Sequence, residues 1–443
     1  MNTTPTYGHY GSILKNTPFE NKTDSTSYIP YSDDFSALSE KVFLGRNKYA
    51  PNSICYQPME GQDAENGTPT DITFKRYTEL ANGGAGLIWL EAVSVCPEGR
   101  SNPYQLMLTS KNRDEFSRLA ESIKTECLKQ NGYEPVIILQ LTNSGRYSKP
   151  NGTPSPIAAY VNPDIDGSAA PKTAQDEYLA SLPEMYAKSA ALAEKCGYDG
   201  VDLKCCHGYL LSELLSAFDR DGIYGGSFEN RTRLLFDCAA AIDGALGENM
   251  IRACRLNVYD GYPGKYCFGK SSEEGREYDL TEPNAVISRL EKDFGFTLIN
   301  VTMGSPYRNP DVSRPYKRGI DMPKTNAVQG LSRILGGCAE IKKAHPDTAF
   351  VDTGISALGA LSPFAAAGLK KEDMTDFVGF GRMSFAYPSL ARDIINGSFD
   401  GKKSCVACGG CSYLKKNVQK SGCIIRNRFY SEIYKDYKKS HND

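Results

Sequence analysis

From residue 41 to residue 399 the chain alternates short apolar runs of strand length with longer stretches whose apolar residues fall at helical spacing. The runs occupy residues 53–57, 86–93, 136–141, 200–204, 250–256, 297–301, 349–352 and 377–381, eight in all. Helical spacing is clearest over 110–131, where Phe116, Leu119, Ala120, Ile123 and Cys127 fall three or four apart and Gly132 follows as a stop signal. Eight strand–helix units predict an α/β fold of the (β/α)₈ TIM-barrel type. An open doubly wound sheet fits less well, because no glycine-rich dinucleotide fingerprint follows the first run. A chain of 443 residues with 40% hydrophobic content can bury such a core. Residues 1–40 are polar and aperiodic and read as an arm lying on a surface, and residues 400–443 as a cysteine-bearing extension after the barrel.

Lys and Arg number 51 against 53 Asp and Glu, and no basic block stands out, so neither nucleic acid nor an anionic membrane is suggested as a partner. A small molecule is the expected partner, and the sequence does not decide between a monomer and a homo-oligomer. No apolar run is long enough for a membrane span, and the opening residues lack the apolar core of a signal peptide, so a cytoplasmic location is expected. The 14 cysteines are scattered except for four near the end, which points to reduced thiols and a metal site rather than a disulfide framework.

In a barrel of this type the active site forms at the C-terminal ends of the strands. After the seventh run comes Gly354, and after the eighth come Gly381 and Arg382. Glycines there let backbone N–H groups approach an anion and Arg382 supplies a fixed fork, which together suit a phosphate; the plainer alternative is that the glycines only permit tight turns. Gln140 and Arg255 sit near the ends of the third and fifth runs. An amide can pair with the donor and acceptor edges of a flavin pyrimidine, and a guanidinium can stabilise the charge that a reduced flavin gathers, though for either residue alone capping or salt-bridging is the commoner role. The fourth run ends in Lys204, His207 and Tyr209, three proton-bearing side chains able to converge on one carbonyl and its neighbouring carbon.

These residues give the barrel a resemblance to the Old Yellow Enzyme family of FMN-dependent ene-reductases, from about residue 52 to 388. The motifs carrying it are Pro58 and Met59; the glycines at 83, 84 and 86 leading to Glu91 and Ala92; Gln140 to Arg146; His207 to Leu210; Tyr224 to Arg231, the most specific string; and Gly381 with Arg382. The resemblance implies FMN contacts from Pro58, Met59, Ala92, Gln140, Arg255, Gly354, Gly381 and Arg382, a carbonyl-binding pair at Lys204 and His207, and Tyr209 as proton donor. Two positions depart from the pattern: Lys204 stands where the family usually has His, and Glu60, beside the flavin, where it usually has Thr or Cys. Lys204 is expected either to polarise a carbonyl or to be spent pairing with Glu60 or a substrate carboxylate.

Cys405, Cys408 and Cys411 form two CxxC steps and Cys423 follows after eleven intervening residues. Three close thiolates and one remote one suit a [4Fe–4S] cube, with zinc the alternative. The tail is similar to that of the branch containing dienoyl-CoA reductase and trimethylamine dehydrogenase, whose further nucleotide-binding domains are not expected in the short stretch beyond Cys423. The expected function is an FMN-dependent ene-reductase acting on an α,β-unsaturated carbonyl compound, with flavonoid, steroid and bilin enones all open. NAD(P)H or a separate electron-donor protein would reduce the flavin, and the cluster calls for anaerobic handling. The alternatives are an iron–sulfur flavoprotein amine dehydrogenase and a non-catalytic flavin- or zinc-binding partner.

Overall fold

The computed structural model describes residues 28–166, 171–313 and 327–441. Eight parallel strands run in chain order: β1 (Ile54–Tyr56), β2 (Leu87–Ser94), β3 (Val136–Thr142), β4 (Gly200–Leu203), β5 (Ile251–Tyr259), β6 (Leu298–Met303), β7 (Ala349–Val351) and β8 (Val378–Phe380). β8 pairs with β1, Val378 opposite Ile54, and a bridge from Val351 to Phe377 joins β7 to β8, so the sheet closes into a (β/α)₈ barrel. Each expected apolar run holds one strand, with ends displaced by a few residues.

The covering helices are α1 (Asp71–Asn82), α2 (Arg113–Asn131), α3 (Asp176–Lys195), α4 (Phe228–Ala245), α5 (Thr281–Phe294), α6 (Ala327–Ala344), α7 (Ser362–Lys371) and α8 (Leu390–Ile395). α2 begins three residues later than its apolar spacing suggests. Asn112 accepts hydrogen bonds from the backbone N–H and hydroxyl of Thr109, at 2.8 and 3.0 Å, and this turn keeps residues 110–112 out of the helix. Its end is as read: Gly132 takes φ 80° and its N–H bonds the Leu128 carbonyl.

Inside the barrel, Cys55, Leu87, Trp89, Val136, Ile138, Ile251, Ala253, Leu298, Ala349 and Val351 form one buried cluster, which Val42, Leu44 and Ala50 from a short antiparallel hairpin join at the N-terminal end. The alternate residues of the same strands pack outward against the helices in the larger core. Of the expected arm, residues 1–27 lie outside the described residues. Beyond them the chain runs along α7, where the Ser32 N–H bonds the Phe364 carbonyl at 2.8 Å and the rings of Phe35 and Phe364 meet edge to face at 5.2 Å. No helix among the described residues is long and apolar enough to cross a membrane.

The extension carries α9 (Gly410–Lys416) and α10 (Arg428–His441). It folds back onto the loop after β1: the Ser421 N–H donates to the Gly61 carbonyl at 2.7 Å, and the Gln62 amide donates to the Lys415 carbonyl at 3.2 Å. That loop is fixed from beneath by a buried ion network. Arg76 of α1 bonds Asp63 through two nitrogens at 3.0 Å and also pairs with Glu91, whose other oxygen accepts the Gly61 N–H at 2.9 Å. Burial pushes the Glu91 carboxyl up to about 7 even with Arg76 opposing it. Replacing Arg76 with Met fills the volume but leaves two buried carboxylates without their cation. We expect a loss of about 3–5 kcal/mol of stability in chemical denaturation, and a midpoint equal to the parent's would show the network to be dispensable.

Candidate active site

Two residues beyond the apolar plug the inward face of the strands becomes polar. Gln57, Gln140, Asp202, Arg255 and Asn300 are all buried there. The register sets Ala92 opposite Gln140 and Gln140 opposite Asp202, and Asp202 gathers three donors: Gln140 Nε2 at 2.5 Å, Trp89 Nε1 at 2.8 Å and the Arg255 N–H at 2.6 Å. Burial raises the Asp202 carboxyl to about 6 while these donors pull the other way, so it is ionised at neutral pH. Its charge fixes the Gln140 amide with nitrogen down and oxygen free. Gln57 and Asn300 exchange hydrogen bonds, and Gln57 also donates to the Asp352 carbonyl at 2.9 Å.

Several buried polar atoms at this end of the barrel have no protein partner: Arg255 Nε, Thr142 Oγ1, Asn257 Oδ1, Asp352 Oδ2 and Thr353 Oγ1. Unpaired buried groups are costly, and their concentration at the strand ends fits a polar, flat ligand with donors and acceptors along one edge. Gly354 holds φ 97° against Leu331 and Ile334, and a side chain on Gly381 would crowd the Met59 sulfur at 3.3 Å, so the loop after β8 stays low beside Met59. Arg382 is buried next to Gly381 but also lines the cavity shared by Cys405, Cys408, Cys411 and Cys423. The expected phosphate binder thus stands between the barrel mouth and the cysteines. Among the described residues, no group of three or more His, Cys, Asp or Glu side chains is disposed to hold a metal ion.

The other half of the site grows from the end of β4. His207 and Gly208 take φ 64° and 68°, a tight left-handed turn that brings Tyr209 back over Lys204, whose Nζ lies 3.9 Å from the Tyr209 ring centre. The Tyr209 hydroxyl bonds Glu60 Oε1 at 3.3 Å and meets the Tyr307 hydroxyl at 3.0 Å. Lys204 Nζ lies 3.8 Å from Glu60, so the sequence's second option for Lys204, pairing with Glu60, is the arrangement found. A partner the sequence did not suggest comes from α9: Lys415 Nζ reaches Glu60 Oε2 at 2.9 Å. Burial pushes the Glu60 carboxyl up, but Lys415 and Lys204 together bring it below its ordinary value. Burial, then the Glu60 charge, holds the Tyr209 phenol far above its usual range, so it keeps its proton. Tyr147 stacks on Tyr307 at 4.2 Å and accepts from Arg308 at 3.0 Å, completing an aromatic wall with a cation at its edge; the Ser305 hydroxyl beside it bonds the His207 carbonyl at 3.1 Å.

The profile of the NADH:flavin oxidoreductase / NADH oxidase family matches residues 47–287, more than half of the chain. The chain belongs to this family. A curated relative, the NADPH dehydrogenase of Halalkalibacterium halodurans, is 32% identical over 306 residues, 68% of this chain and 81% of its own length. The metal reductase of Desulforamulus reducens is 27% identical over 388 residues, 84% of this chain, which spans 51% of that larger protein. In fold, the barrel is similar to 2-naphthoyl-CoA reductase (TM-score 0.75, 20% identity, 90% of this chain and 58% of the other) and to an old yellow enzyme homologue from Zymomonas mobilis (TM-score 0.61, 20% identity, 82% and 93%). The family's description names NADH and flavin, and the chain spans 51% of the metal reductase and 58% of the 2-naphthoyl-CoA reductase to which it is similar.

Tyr147 and Lys415 lie just past the Gln140 to Arg146 string and the cysteine steps, and Tyr307 and Arg308 stand in a stretch without a motif, so none of the four was marked in the sequence as a site residue. Lys415 is testable apart from the family's common parts. Changing it to Met removes the nearest cation from Glu60, so the carboxyl should protonate at a higher pH. The acid limb of the pH–rate profile for turnover should move up by about one unit, and Lys415→Arg should restore it. An unmoved profile would mean that Lys204 alone keeps Glu60 ionised.

Proposed function

We propose that the chain reduces the carbon–carbon double bond of an α,β-unsaturated carbonyl compound, and the observation that carries this is the cluster of Tyr209, Glu60 and Lys204 on the rim of the polar cup. FMN bound here would supply the hydride for the β-carbon, with NAD(P)H or a protein donor as the source of its electrons. Gln140, with its amide nitrogen spent on Asp202, presents an oxygen acceptor to the ring edge, and Arg255 Nε is available for a ring acceptor. Arg382, Gly354 and Gly381 would hold the phosphate, and Pro58, Met59 and Ala92 would border the ring. Lys204 pairs with Glu60 only loosely, at 3.8 Å and beyond hydrogen-bond reach, so with His207 on the same turn it stabilises negative charge on the substrate oxygen, while Tyr209 gives its proton to the α-carbon. Tyr307, whose hydroxyl meets that of Tyr209 at 3.0 Å, is positioned to return a proton to it, while the Glu60 carboxylate accepts the Tyr209 hydroxyl bond and holds the phenol in place.

Lys204, Lys415 and Arg308 around the site disfavour a protonated amine, which weighs against the amine dehydrogenase reading. The stacked Tyr147 and Tyr307 suit a flat, conjugated substrate. Four thiols lining one cavity, with the Ala407 and Arg426 N–H groups donating to Cys405 and Cys423 sulfurs at 3.4 and 3.3 Å, support a [4Fe–4S] cluster held by Cys405, Cys408, Cys411 and Cys423.

Tyr209→Phe keeps the ring and removes the proton. Reoxidation of the reduced flavin by an enone should slow by about 10²–10⁴-fold while flavin reduction by NAD(P)H stays near normal, as read by anaerobic rapid mixing of the two half-reactions. Equal reoxidation rates would remove Tyr209 as the donor. Protein purified anaerobically should contain about four iron atoms per chain, and Cys408→Ser should lower that content; stoichiometric zinc in the native protein would replace the cluster in this account. Arg382→Ala should lower bound FMN, and unchanged flavin content would free Arg382 for the cysteine side alone.

A further inference from the structure

The extension is charged unlike the rest of the chain. Residues 400–443 hold ten Lys and Arg against four Asp and Glu, and taking these from the totals of 51 and 53 leaves 41 basic and 49 acidic residues in the first 399. A net charge of -2 therefore conceals a basic segment attached to an acidic barrel. The cations gather where the thiols are: Lys402, Lys403, Lys416, Lys420, Arg426 and Arg428 are all exposed and each lies within five residues of a cysteine. Lys403 pairs with Asp393 and Arg428 with Glu432, whereas Lys402, Lys416, Lys420 and Arg426 have no carboxylate partner among the described residues. Two exposed apolar side chains, Val406 (41%) and Ile425 (50%), line the same cavity as the four thiols, and Phe429 (40%) borders the next groove together with Cys423.

A small apolar centre ringed by unpaired charge is the anatomy of a transient protein contact: the apolar part excludes water at the point of closest approach and the charges steer the encounter. We infer that this face docks a small acidic electron-carrier protein, which passes electrons to the flavin through the cysteine cavity. The inference rests on the cluster proposed above. Two carriers each leave oxidised by one electron, and those two electrons with two protons from solvent reduce the flavin by the pair needed for one double bond. The interspersed Glu432 and Asp436, and the apolar residues at the centre of the face, favour a protein over nucleic acid or lipid.

The test uses the full chain purified anaerobically, with an acidic bacterial ferredoxin carrying two [4Fe–4S] clusters as the probe and cationic cytochrome c as the opposite-charge control. Calorimetry at 50 and 300 mM salt should show ferredoxin binding that salt weakens about tenfold or more. The double variant Lys402→Glu/Lys420→Glu should weaken both binding and flavin reduction by reduced ferredoxin by about 10–100-fold, with flavin reduction by NAD(P)H unchanged. Ile425→Ser should weaken binding with little change in salt dependence, and Lys292→Glu, at the opposite end of the barrel, should change nothing. Ferredoxin binding no tighter than cytochrome c, indifference to the double variant, or tighter binding to duplex DNA or phosphatidylserine vesicles would each overturn the docking face. Iron and sulfide assayed on the same preparation separate the two ideas. A chain without iron overturns the cluster and the electron path through it, while salt-sensitive binding lost on charge reversal still supports the surface.

Discussion

Asp202 holds four neighbouring strands in one arrangement by accepting a side-chain bond from β2, another from β3 and a backbone bond from β5 while itself standing in β4. It occupies the level at which the inside of the barrel changes from apolar to polar. A lone carboxylate at that depth would be neutral, and the three donors keep it charged at neutral pH. Everything above depends on this: the Gln140 amide has only one way to face, and the Arg255 guanidinium, held by its own strand, keeps an unspent donor at the mouth. The cup is organised before any ligand arrives, which is how a binding site avoids the cost of ordering itself on contact.

The barrel was readable because parallel strands buried on both faces appear as continuous apolar runs, and every run from 53–57 to 377–381 contains a strand. Gln140, Lys204 and Arg255 stood out as polar residues ending such runs, and the structure places all three on the inward face. The position of Glu60 was also visible, as a charge where the resembling family has a small uncharged residue. Its partner was not. Lys415 follows Cys411 by one helical turn and looks like any solvated lysine until the extension folds back over the loop after β1. The start of α2 was misplaced for a different reason, since Asn112 can serve a turn as readily as a helix and only the neighbouring Thr109 decides. The basic character of the extension was hidden by averaging over an acidic barrel.

The site therefore has two origins. Its floor belongs to the barrel, built from alternate residues of β1 to β6, while its charged rim is shared with a segment that also carries the four cysteines. Cys411 and Lys415 are on the same short helix, so the geometry of the thiol cavity and the position of the cation on Glu60 cannot vary independently. Arg382 forms a second bridge, buried between the loop after β8 and the cysteines.

For anyone wishing to shorten the molecule, the Glu60–Lys415 pair means that the tail is not a removable module. A barrel ending at Phe399 would keep a buried carboxylate with Lys204 at 3.8 Å as its remaining cation, and would leave the Gly61 carbonyl without the Ser421 N–H. Residue 60 and the tail were evidently fitted to each other and have to be redesigned together: a minimal version would need an uncharged side chain at position 60 and a new polar cover for the loop beneath it.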